Sequence, residues 1–424
     1  MRRDLSLYWW GQTASAFGSV FTAVALPIVA IVHLGASPGQ MGLISAASTL
    51  PGIVIGLPVG ALADRIRRPR RMLLALDTVS ALCVGLLALG LAAKIVSIGW
   101  LICLGMTQGC LSILVACLYF VHLRQLVDAD GIGPARARLQ AGQYGAALLG
   151  RILAGPVIVA FGSSVALGVD AASYLLSATA LLSMRSPDLA PTTSGQGRAG
   201  SFRGAGSGLR FFAAHPFHRA LLVFIIVPAA AAAGLSTLTG PFLLRVIHLP
   251  TAYYGLAFAL SGLTGLVGST VAARLLGPGS DPRRVTILAF AASTVGLLLL
   301  PLAAGPLPLA TACAALGIAL PIFFGAIANA ALSSVLGTDV TEGEMGRIAA
   351  ALQVFGGTAS LLGALGGGAL GDWLGIRAAL WCLCATALAA AVLAGPQALR
   401  AARTLRDTKP VPARSAAVAA EKVG

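Results

Sequence analysis

Twelve runs of about twenty apolar residues, parted by short polar or charged breaks, fill most of the chain; about 20 residues is what a helix needs to cross a ~30 Å hydrocarbon core. They predict helices near residues 7–34, 41–63, 72–93, 98–120, 141–161, 166–185, 219–242, 253–275, 285–304, 308–333, 348–370 and 377–398. The fold class expected is an all-α membrane protein. The longest polar break, residues 186–218, is rich in Gly, Ser and Arg, too polar for lipid and too poor in apolar side chains to fold, so it reads as a flexible cytoplasmic linker. It separates an N-terminal six-helix half, 1–185, from a C-terminal half, 219–398, and a tail over 399–424 has the same disordered character.

The halves repeat each other. A shift of 213 residues aligns Gly42 with Gly255, Gly52 with Gly265, Arg70 and Arg71 with Arg283 and Arg284, Gln140 with Gln353, Gly150 with Gly363, Gly155 with Gly368 and Gly162 with Gly375. One ungapped offset across several helices predicts two parallel, pseudo-symmetric six-helix halves with a substrate site between them near the midplane.

Composition supports the membrane reading. The chain is 57% hydrophobic and 10% charged, with a mean hydropathy of +0.89, too few charges to cover a water-soluble globule of this size. The net charge of +15 comes in short runs between spans instead of on one solvated face, which argues against nucleic acid. With both termini cytoplasmic, 25 of the 29 Lys and Arg fall on inside segments, leaving Lys94, Arg245 and Arg377 outside and Arg151 within a span. The first apolar run is longer than a signal-peptide core and has no cleavage site, so it stays as the first helix. Seven cysteines all lie in apolar runs without metal-ligand spacing; no metal, disulfide or cofactor is expected.

Polar residues inside the spans are the candidate site. Gln12, Ser15, Ser19 and Thr22 share one face of the first helix, which then faces a cavity, unless the hydroxyls merely bond their own helix. Gln108 and Ser112 repeat the pattern in the fourth helix, and Asn329 and Ser333 in the tenth, beyond a kink expected at Pro321. In the fifth helix Gln140, Tyr144 and Arg151 lie on one face, with Gln353 at the repeat position of Gln140. Arg151 sits near the bilayer centre, where a charge costs ~2.5–3.5 kcal/mol on insertion scales. It therefore binds substrate, takes part in coupling, or forms a structural ion pair, with Asp170 the nearest acid. Proton coupling needs a carboxylate or histidine exposed in turn to each side, and Asp170, Asp77 and His122 are the candidates. Asp77 has the alternative of capping its helix.

The second and third helices are joined through Gly60, Asp64, Arg65, Arg67, Arg68, Arg70 and Arg71. This stretch resembles the signature loop of the major facilitator superfamily, with matches at Gly60, Asp64, Arg65 and Arg68 and departures at Arg67 and Pro69. Gly155-Pro156 resembles part of the antiporter motif of the fifth helix. Gly11-Gln12-Thr13 and Gly346-Arg347 bring the overall pattern closest to the bacterial efflux branch that holds the enterobactin exporter and macrolide efflux proteins. The resemblance covers residues 1 to about 400. It implies twelve helices in a bacterial cytoplasmic membrane, a cavity lined by helices 1, 4, 7 and 10, and a cytoplasmic gate in which Asp64 holds the start of helix 11. The loop before helix 11 offers Asp339, Glu342 and Glu344 to Arg67, Arg68, Arg70 and Arg71 as a cytoplasmic charge latch, unless these charges are simply solvated.

The function expected is secondary active export of a small amphipathic or anionic molecule by a monomer working through alternating access, with the proton as coupling ion. Import or uniport by the same machinery, or a sensor or scaffold that moves nothing, are the alternatives. No enzymatic site is expected: Gly35-Ala-Ser37-Pro-Gly39 and Gly366-x-Gly368-x-x-Gly371 fit catalytic and nucleotide-binding strings, but neither follows a strand.

Overall fold

The computed structural model describes residues 2–55, 66, 68–127, 131–185, 216–277, 280–339 and 342–408. These form twelve main helices with no strand among the described residues: α1 (Arg2–Ile28), α2 (Pro38–Val54), α3 (Pro69–Ala92), α4 (Ile98–Leu126), α5 (Ile132–Phe161), α6 (Ser163–Leu182), α7 (Pro216–Pro241), α8 (Thr251–Leu275), α9 (Pro282–Leu297), α10 (Leu307–Asp339), α11 (Glu342–Leu374) and α12 (Ile376–Thr408). Eleven are long and apolar enough to span a membrane. The other, α2, is described over 17 residues and runs into residues outside the described set.

Several helices outrun the apolar windows. α5 starts at Ile132 and not 141, α4 ends at Leu126 and not 120, and α12 continues to Thr408 instead of stopping at 398. Backbone hydrogen bonding carries on where lipid ends, and polar side chains such as Arg136 and Arg138 are exposed on these extensions.

Local signals place the helix starts. Ser37 caps α2 in a capping box with Gln40, with Pro38 at the first helical position. Pro69 and Pro282 open α3 and α9, the second behind an Asp281 cap. The repeat is visible in the backbone: α1 and α7 each end in a π-turn, Val29–His33 and Phe242–Val246. Gly162 (φ 88°) and Gly375 (φ 83°) make the one-residue turns before α6 and α12, a conformation that glycine adopts at little cost. All these pairs differ by the same 213 positions.

Within the N-terminal half α1 packs on α5 and α6, α3 on α6, and α2 on α4; the C-terminal half repeats this with α7 on α11 and α12, α9 on α12, and α8 on α10. Two seams join the halves, α2 on α11 and α5 on α8. The helices alternate in direction, so the start of α1 and the ends of α6 and α12 share one face, called here the terminal face, with the far face opposite. On the far side one apolar core takes in both halves, including Phe21, Ile28, Val84, Leu167, Leu238, Phe242, Tyr254 and Leu380. On the terminal side the described core divides into a cluster from the N-terminal half around Tyr8, Leu73, Leu118 and Leu139 and clusters from the C-terminal half around Phe224, Ile287 and Val335 and Ala272 and Ile327. Among the described residues, the halves thus share a core at the far face and part at the terminal face.

Candidate functional site

Inside the N-terminal half, on the terminal side of the shared core, lies a cavity of about 380 Å³. α1 contributes Gln12, Ser15 and Ser19, α3 Asp77 and Ser80, α4 Gln108, Ser112 and Tyr119, α5 Arg136, Gln140 and Gln143, and α6 Tyr174. Six of the residues expected to bind substrate therefore meet in one place: Gln12, Ser15, Ser19, Gln108, Ser112 and Gln140. Polar side chains on membrane helices are stable where they line a cavity or find partners across helices, and both arrangements occur here.

Of the two candidate acids in this half, Asp77 lines the cavity and Asp170 does not. Asp77 is 4% exposed, and its Oδ2 has no hydrogen-bond partner among the described residues. It lies eight residues into α3 and faces the cavity, so it does not cap that helix. Asp170 is 1% exposed. It accepts hydrogen bonds from Thr22 Oγ1 and from Ser173 Oγ, the latter at 3.3 Å. One turn away, Ser19 Oγ and Tyr174 OH are 3.1 Å apart on the cavity wall. No ion pair to either acid occurs among the described residues. His122 is buried too, but it packs edge-on against Tyr8 with ring centroids 5.1 Å apart and does not line the cavity.

Arg151 corrects one alternative. It is not paired with Asp170: its Nη1 donates to the Phe258 carbonyl and to Ser261 Oγ, both at 3.1 Å, across the α5–α8 seam. The face of α5 that bears it abuts α8, while Asp170 turns towards α1. Tyr144, Asn329 and Gln353 are exposed and outside the cavity lining. The hydroxyls of Ser112 and Ser333 donate to carbonyls of their own helices; Ser112 still lines the cavity.

Of the expected terminal-face gate, Gly60, Asp64 and Arg65 lie outside the described residues, and for Glu342 and Glu344 only the backbone is described. Arg68 precedes α3 and is exposed, as is Arg71. Arg70 caps the end of α6 through the Leu181 and Leu182 carbonyls, at 2.6 and 2.9 Å. Ser37 of the GxSxG string is a helix cap.

Ser80, Tyr119, Gln143, Tyr174 and Arg136 complete the cavity without having stood out in the sequence. Ser80 had a signal, since it follows Asp77 by three positions and so shares its helix face.

A family profile described as Major Facilitator Superfamily matches residues 8–340. The chain is 30% identical over 387 residues to an uncharacterized MFS-type transporter, YfiS, of Bacillus subtilis (strain 168), covering 88% of each. Among solved structures it is similar to the nucleoside transporter NupG, with a TM-score of 0.74 and 12% identity over 94% of this chain and 99% of that one. It is also similar to a bacterial homologue of the iron transporter ferroportin in an inward-facing state, with a TM-score of 0.70 and 14% identity over 95% and 99%. At these identities the two structures speak for the fold alone.

Proposed function

The chain belongs to the major facilitator superfamily and is a multi-pass membrane transporter; on that premise we propose that it exports a small amphipathic or anionic molecule in exchange for protons by alternating access. The observation that carries this reading is the cavity of the N-terminal half, where amide and hydroxyl groups stand beside aromatic rings and a buried, unpaired carboxylate. Gln12, Gln108, Gln140 and Gln143 offer hydrogen bonds to the polar part of a substrate, Tyr119 and Tyr174 offer ring faces to its apolar part, and Arg136 brings a guanidinium to the lining.

Asp77 and Asp170 carry the proton in this scheme. Each takes it up and gives it back as the halves expose the cavity first to one side of the membrane and then to the other. The excess of Lys and Arg on the terminal face supports a cytoplasmic place for that face and for both termini; the scheme takes a monomer in a bacterial inner membrane as the working unit.

Efflux into energised inverted membrane vesicles tests the proposal, with dyes, macrolides and catecholate siderophores as probes. We expect at least one probe to accumulate, the accumulation to collapse with a protonophore, and Asp77→Asn to abolish it. Accumulation that survives both the protonophore and Asp77→Asn would overturn proton coupling through this cavity.

A further inference from the structure

Two seams close the far face, and repeat-related glycines line both. On α2–α11, a Cβ on Gly42 would lie 2.8 Å from the Ala364 carbonyl oxygen, and one on Gly368 2.7 Å from the Pro38 carbonyl oxygen. On α5–α8, the repeat-related Gly255 and Gly155 press in the same way on the carbonyls of Arg151 and Ala252. Glycine lets the backbones touch, but such contact alone has no direction and little strength.

Charged residues break the symmetry. On α5–α8, Arg151 of the N-terminal half is bonded to the Phe258 carbonyl and Ser261 of the C-terminal half. On α2–α11, Asp372 of the C-terminal half accepts from the Gly39 amide at 3.1 Å and from Ser37 Oγ at 3.3 Å, at the start of α2. A carboxylate there meets the positive end of the helix dipole. Between the seams, Arg245 in the π-turn after α7 donates at 3.0 Å to the Ile31 carbonyl in the π-turn after α1. Each tie joins a charge on one half to backbone groups of the other.

We propose that Arg151, Asp372 and Arg245 are positioning residues of the transport cycle, a clasp of three charge-to-backbone ties that holds the far face shut and sets how often it opens. The argument rests on the alternating-access reading. Opening the far face requires the halves to part along both seams, and every one of these bonds must then break. Arg151 is the strongest tie, because it is half-buried and makes two bonds. Asp372 is exposed, so water replaces its partners at little cost. No ion pair is involved, so a mobile ion has no opposite charge to screen.

Thiol labelling of purified, cysteine-free protein tests the clasp with no substrate present, so its outcome is separate from that of the transport assay. Val24→Cys reports the far seam, where Val24 is buried beside Gly255; Ser15→Cys reports the terminal-side cavity. Arg151→Gln should raise the labelling rate at Val24→Cys by ~10-fold and lower that at Ser15→Cys, as expected for losing charge-assisted bonds. Arg245→Gln should act in the same sense, and Asp372→Asn by ~2- to 3-fold. Ser261→Ala removes one acceptor while leaving the arginine in place, and should move both rates in those directions by a smaller factor. Unchanged rates in Arg151→Gln and Ser261→Ala would overturn the clasp. So would a rise at both reporters together, the mark of a loosened bundle.

Discussion

The α2–α11 and α5–α8 seams have repeat-related glycines pressed on carbonyls of the opposite helix, yet α5–α8 is fastened by a half-buried arginine and α2–α11 by an exposed aspartate. At the repeat position of Arg151 stands Ala364. The acceptors are repeated even where the arginine is not: Ser48 donates to the Ser45 carbonyl at 2.9 Å on α2, as Ser261 does to Phe258 at 2.6 Å on α8. The repeat thus supplies the contact surface, and single charged substitutions make the two seams unequal. An unequal pair gives the closed face a strong edge and a weak one.

The largest effect should come from removing what the seams share. Gly42→Val combined with Gly255→Val places branched side chains where carbonyls now lie, and overpacking of ~1–3 kcal/mol at each site should force the far face apart; vesicle transport is expected to fall more than ~100-fold. Equal losses from the two single variants would confirm that the contacts are equivalent. Moving the arginine comes next. In an Arg151→Ala background, Ala364→Arg should meet the Ser45 carbonyl and Ser48 and recover about half of the lost far-face closure in log rate, given ~1.5–3 kcal/mol for bonds to a charged group. No recovery would mean that the α2 acceptors are not a usable second socket. The smallest effect tests the turns beyond the seams: Gly162→Ala and Gly375→Ala each force a positive φ on a residue with a Cβ, and each should cost ~1–3 kcal/mol, read as matching losses in thermal stability.

Much of this could be read in the chain. Apolar run length gave the number of helices, and the constant offset gave the two halves, because both are linear properties of the sequence. Of the polar stripe of α1, Gln12, Ser15 and Ser19 lie on the cavity wall. Arg151 stood out as a charge needing satisfaction, but its partners did not, since the Phe258 carbonyl is a backbone group 107 residues away and any residue type carries one. Tyr144 shares a helix face with Gln140 and Gln353 stands at the repeat position of Gln140, yet both lie outside the cavity lining, because a long helix passes several environments along one face and a repeat of backbone does not repeat each side chain's surroundings. Asp372 carries a signal of its own: an acid in the last turn of α11 opposes the helix dipole, so its charge serves another element. That element is the start of α2.

Distances between spin labels across the two faces test the central claim most directly, that the halves part at one face as they close at the other. One pair, at Ile95 and Leu307, would span the far face, and a second, at Arg185 and Arg274, the terminal face; all four residues are exposed. Arg151→Gln should lengthen the first distance and shorten the second, shifting populations between two shared distance peaks. Distances that stay fixed in the variant, or that lengthen together, would contradict that claim.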